Sequence, residues 1–105
     1  MCKKSEIKLT KKKILILLKK NLDILRRYKV SKIGLFGSYV RNDQKKASDI
    51  DFLIEFDEPT FDNFMDLIFS LEDLFGRKVD LVTNNSLSPY IKPYIENEVI
   101  WYETK

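Results

Sequence analysis

Asp49-Ile50-Asp51-Phe52-Leu53-Ile54-Glu55-Phe56 places Ile50, Phe52, Ile54 and Phe56 at alternate positions. This period-two pattern is that of a β-strand with one face in the core. The other row is Asp49, Asp51, Leu53 and Glu55, so the two aspartates project from the same side of the strand. Upstream, residues 32–36 read as a second short strand that ends at Gly37, after a turn at Val30-Ser31. Residues 38–42 read as a tight turn opening into a helical turn, and 43–48 as a polar loop with no hydrophobic period.

Further out, Thr10 is placed to cap a helix running to about Tyr28, with Ile14, Leu15, Leu18, Leu22 and Leu25 on one face. Asp57-Glu58-Pro59-Thr60 ends the central strand and starts a second long helix. Its apolar stripe is Phe61, Phe64, Met65, Ile68, Leu71 and Phe75, with Phe69 off the stripe and Gly76 as a stop. Residues 78–83 form a strand carrying the lone acid Asp80. Residues 84–88 turn, 89–97 form a helix interrupted at Pro93, and 98–102 form a last short strand. The expected fold is α+β, a small mixed sheet with helices packed against it, in a single domain over residues 1–105.

Composition narrows the chemistry. The chain is 44% hydrophobic and 33% charged, which fits a globular protein. Its 19 basic and 16 acidic residues leave a net charge of +3, too slight an excess to imply nucleic-acid binding. The lysines of the first helix read as a solvated face. Histidine is absent and Cys2 is the single cysteine, so a Cys/His zinc site, a Ser-His-Asp triad and a Cys-His dyad are all excluded. The apolar run at 14–18 is far short of the ~20 residues a bilayer span needs, so no membrane association and a cytoplasmic location are expected.

Two carboxylates held as close as Asp49 and Asp51 repel unless a cation lies between them, and magnesium suits an all-oxygen donor set completed by substrate phosphates. Asp80 is the one acid inside the next strand and is placed to be the third. Gly37 permits close backbone approach to a phosphate, and Ser38 adds a hydroxyl. Arg41 either binds a phosphate oxygen or braces the strand end through a carboxylate. A phosphate cradle facing a carboxylate pair suits phosphoryl-type transfer. Alternatives remain open: Gly37-Ser38 as an ordinary serine-capped turn, the aspartates as an exposed strand edge, and Arg41 as a plain ion-pair partner.

Gly37-Ser38, ten residues from Tyr39 to Ser48, then Asp49-Ile50-Asp51, with Arg41 and the later Asp80, resembles the minimal nucleotidyltransferases of the polymerase-beta-like superfamily. The resemblance covers nearly the whole chain. Val40-Arg41-Asn42 stands where that family often has a small residue, arginine and glycine; asparagine tolerates left-handed dihedrals better than most residues. The resemblance implies the nucleotidyltransferase fold, ATP as substrate and magnesium, two ions, as cofactor. It further implies an antitoxin that transfers AMP to a tyrosine of a HEPN-domain ribonuclease toxin, in a hetero-oligomer with that toxin. Gly37, Ser38 and Arg41 would then serve the nucleotide, and Asp49, Asp51 and Asp80 catalysis and metal binding. The alternatives are a non-catalytic antitoxin that acts by complex formation, and nucleotidyl transfer to RNA or a small molecule.

Overall fold

In the computed structural model, which describes residues 9–41, 49–58, 60–83 and 86–103, the alternating run forms the strand β2 (Ile50–Phe56). It lies inside a four-stranded sheet of order β3-β2-β1-β4, with β1 (Val30–Phe36), β3 (Val79–Thr83) and β4 (Ile100–Glu103). β1 runs antiparallel to both β2 and β4, while β2 and β3 are parallel, so the sheet is mixed as expected. A parallel pair needs a crossover, and α4 (Phe61–Phe75) provides it between β2 and β3. The loop expected at 43–48 lies outside the described residues, as do Asn42, Pro59 and residues 84–85 of the expected 84–88 turn.

One sheet face carries the core. Ile33 pairs with Ile54 and Leu35 with Phe52, and these four and Ile50 are fully buried. They pack with Ile14 and Leu18 of α1 (Lys11–Lys20), Leu25 of α2 (Leu22–Arg27), and Leu67 and Leu71 of α4. Each such side chain contributes about 1.5–3 kcal/mol by leaving water. Phe52 meets Phe75 with ring centroids 5.9 Å apart. The opposite face carries Phe36, Asp51, Leu53 and Asp80, linked by the pairings of Phe36 with Asp51, Asp51 with Asp80 and Gly34 with Leu53.

Several local readings shift. The single helix expected over 10–28 begins at the Thr10 cap but divides at Asn21. There the side-chain Nδ2 donates to the Leu17 carbonyl at 2.8 Å and the backbone N–H to Leu18 at 3.1 Å, so asparagine competes with the helix ladder. The turn expected at Val30-Ser31 falls instead at Lys29, which is left-handed (φ 64°), and β1 starts at Val30. The Lys29 carbonyl accepts from the Asp57 N–H at 2.7 Å, which ties this turn to the end of β2.

In α4, Thr60 caps the start by accepting from the Asn63 N–H, and left-handed Gly76 (φ 65°) ends the helix. Its buried residues are Leu67, Leu71 and Phe75, whereas Phe61, expected on the stripe, is 76% exposed. The last helix, α5 (Lys92–Glu98), begins three residues later than expected. Pro93 sits in its first turn, where a missing N–H costs nothing, and so does not interrupt it. Glu98 is the last residue of α5, not the first of a strand. Among the described residues no helix is long and apolar enough to cross a membrane.

Candidate active site

β1 ends opposite the beginning of β2, because Phe36 pairs with Asp51. The chain must therefore turn away at residue 37, directly beside a carboxylate. Gly37 makes this turn with φ 83°, a conformation that L side chains rarely adopt. A Cβ at Gly37 would also collide with Asp51 Oδ2 and lie 3.1 Å from its Cγ. Two independent constraints therefore demand glycine here.

The Gly37 carbonyl accepts from the N–H groups of Val40 (3.0 Å) and Arg41 (3.2 Å), which closes the short helix α3 (Ser38–Arg41). Tyr39, only 1% exposed, anchors that turn in the core, while half-buried Ser38 opens it. The helical turn expected after Gly37 is thus present. Its anchor, Tyr39, had no signal in the sequence beyond being one aromatic in a short segment without hydrophobic period.

Across the sheet, parallel register sets Asp51 of β2 beside Asp80 of β3. Asp49 is exposed and lies one residue before β2 begins, so the strand is shorter at its start than the sequence pattern indicates. Asp80 and Asp49 both act on Asp51. The Asp51 carboxyl is pushed from 3.8 up to about 6, first by partial burial and then by the charges of Asp80 and Asp49; Arg41 pulls it down, and Glu98 adds a smaller push upward. Gly37, Arg41, Asp49, Asp51 and Asp80, which the sequence singled out, thus gather at one end of the β1-β2-β3 sheet with Ser38 in the adjoining turn.

Glu98 is the member that sequence reasoning missed. From the end of α5 its carboxylate accepts the Gly37 N–H at 2.7 Å and pairs with Arg41 Nη1 at 3.1 Å. Of the two roles open to Arg41, bracing through a carboxylate is the one seen. Glu98 is separated from its partners by 61 and 57 residues, a distance over which local sequence patterns carry no signal.

The donor set is entirely oxygen, and a carboxyl at Asp51 whose proton affinity is raised by the neighbouring charges of Asp80 and Asp49 fits a hard cation that would relieve that repulsion. Among the described residues no three acidic or cysteine side chains stand close enough to cage an ion by themselves. Such a set suits an ion that also takes oxygens from a phosphate-bearing ligand.

The nucleotidyltransferase domain family matches residues 18–102. A protein of Methanocaldococcus jannaschii, provisionally named a protein adenylyltransferase, is 47% identical over 90 residues, covering 81% of this chain and 90% of its own length. Among solved structures, one described as that of a provisionally assigned minimal nucleotidyltransferase superposes with a TM-score of 0.76 at 27% identity, over 88% of this chain and 95% of that one. A chain from a toxin–antitoxin complex with AMP-PNP gives a TM-score of 0.66 at 27% identity, over 79% of this chain and 69% of the other. With its mixed sheet, glycine-serine turn and paired strand aspartates, the chain belongs to the nucleotidyltransferase domain family, in its minimal form, and is a nucleotidyltransferase.

Proposed function

We propose that this chain transfers AMP from ATP to a tyrosine hydroxyl of a partner protein, a HEPN-domain ribonuclease toxin, and so neutralises it. The observation that carries the reading is the register of Asp51 with Asp80 beside the Gly37 turn, with Asp49 at the same strand end. The similar M. jannaschii protein, provisionally named a protein adenylyltransferase, and the structural likeness to a chain of a toxin–antitoxin complex with AMP-PNP support the acceptor class and the nucleotide. In the reaction the tyrosine oxygen bonds to the α-phosphorus of ATP, the bond from that phosphorus to the β-phosphate oxygen breaks, and pyrophosphate leaves.

The residues divide the work. Ser38, on the turn that Gly37 shapes, faces the triphosphate, and Arg41 offsets negative charge beside it. Asp49 and Asp51 would hold magnesium, and Asp80 would complete the set or accept the proton of the acceptor hydroxyl. Bound magnesium supplies charge neutralisation at the phosphates and alignment of the incoming oxygen. Four carboxylates and one guanidinium make this corner strongly anionic, which opposes a polyphosphate arriving without its cation.

The test is incubation with labelled ATP, magnesium and the partner encoded beside this chain. The partner should become labelled, and Asp49→Ala and Asp51→Ala should each abolish the label. Labelling that persists in both variants would remove these residues from the reaction.

A further inference from the structure

A fourth carboxylate beside three aspartates adds repulsion to a site already crowded with negative charge. Glu98 is nevertheless there, and it meets the glycine-serine turn at both Gly37 and Arg41. Its carboxylate takes the Gly37 N–H at 2.7 Å and Arg41 Nη1 at 3.1 Å from either oxygen. Its side chain is 24% exposed and that of Arg41 53%, so the pair stands at the rim of the site where a nucleotide would meet it. A contact serving stability alone gains little from an ion pair this exposed.

The geometry of Gly37 explains what the contact does. Its carbonyl is used by α3 and the space a Cβ would occupy is filled by the Asp51 carboxylate, so the N–H is the remaining polar handle on the residue. Without an acceptor there, the left-handed turn would be free to rotate its peptide away from Asp51. Glu98 fixes the peptide and, with the same two oxygens, aims the Arg41 guanidinium.

We infer that Glu98 is a positioning residue of the nucleotide site: from the end of α5 it locks the Gly37 peptide and orients Arg41, so that the turn is preset for the triphosphate. This rests on the proposal that the turn serves the nucleotide. α5 thereby becomes part of the active site although it carries none of the motif.

The experiment measures binding of magnesium–AMP-PNP by calorimetry for the wild type, Glu98→Gln, Glu98→Ala and Arg41→Ala, together with the melting temperature and the Gly37 amide resonance without nucleotide. Loss of a charge-assisted hydrogen bond predicts affinity weaker by about tenfold to a hundredfold in Glu98→Ala. Glu98→Gln keeps an acceptor for the Gly37 N–H and should lose less, with the Gly37 amide proton moving upfield as the bond loses its charge. Adding Glu98→Gln to Arg41→Ala should cost less than it does alone, because the two act through one pair. Unchanged affinity in Glu98→Ala, or a fall in melting temperature with affinity retained, overturns the inference. A wild type that binds no magnesium–AMP-PNP overturns instead the nucleotide reading on which it stands, while the Gly37 amide still reports whether Glu98 holds the peptide.

Discussion

Asp51→Asn should abolish transfer and at the same time make the metal-free protein more stable at neutral pH. Asp51 is half-buried, and its carboxyl is pushed from 3.8 to about 6 by burial and by Asp80 and Asp49. A folded-state value above the unfolded one means that the native protein holds this proton more tightly. Stability from this group is therefore full below about pH 4 and is lost as pH rises through about 6. Fully transmitted, a shift of about two units is worth about 3 kcal/mol; solvent screening at a half-buried site reduces this to roughly 1–1.5 kcal/mol. Asparagine has nearly the same shape and no charge at any pH, so it removes the penalty above pH 6 and changes little at pH 4. For a domain of this size about 1 kcal/mol corresponds to roughly 4–8 °C in melting temperature. Thermal melts of both proteins from pH 4 to 8 in chelator-containing buffer measure the difference, in which titration of the carboxylates remote from Asp51 cancels. A variant that melts below the wild type at pH 8, or a difference that does not grow between pH 4 and 7, would refute the electrostatic account. Magnesium with AMP-PNP should reverse the order, raising the melting temperature of the wild type and not that of the variant.

Two glycines offer an internal control. Gly37→Ala meets both a left-handed backbone and the Asp51 carboxylate and should cost about 1–3 kcal/mol in a denaturant titration, with magnesium–AMP-PNP binding lost, whereas Gly76→Ala, left-handed with nothing near its Cβ, should cost about 1 kcal/mol and leave binding intact. Gly34→Ala would drive a Cβ into Val99 and to 2.9 Å from Trp101 Cε3, so β4 must shift: a loss of about 1–3 kcal/mol is expected, read with a change in Trp101 fluorescence.

The elements that local chemistry defines were legible in the sequence. Period-two alternation marked β2, Thr10 and Thr60 marked helix starts, and Gly76 marked a stop, because in each case the cause lies within a few residues of the effect. Asn21 was hidden because its side chain competes with the helix ladder at Leu17 and Leu18 inside an otherwise regular apolar period. Phe61 looked like a core residue by spacing, yet as the first residue of α4 it is exposed, while Leu67 and Leu71 further along the helix are buried. The aspartates were found because strand periodicity and a known motif point at them. Glu98 had neither, since its role depends on α5 returning to the end of β1, a matter of topology and not of neighbours in the chain.

That topology gives the motif glycine a meaning different from the one its sequence suggests. By itself Gly37 reads as a residue kept small for an incoming phosphate. In the fold its carbonyl already receives Val40 and Arg41, its N–H already meets Glu98, and the space a Cβ would need is already filled by Asp51. The protein's own carboxylates therefore demand glycine before any nucleotide arrives. Because Asp51 sits where that Cβ would be, Gly37 also sets how near the glycine-serine turn and the acidic pair can approach each other. A transfer site needs that closeness, since one cation must touch both the carboxylates and the phosphate oxygens. On the proposed reading the serine and the aspartates would supply the ligating atoms, and the glycine, whose N–H is held from α5 by Glu98, would set the distance between them.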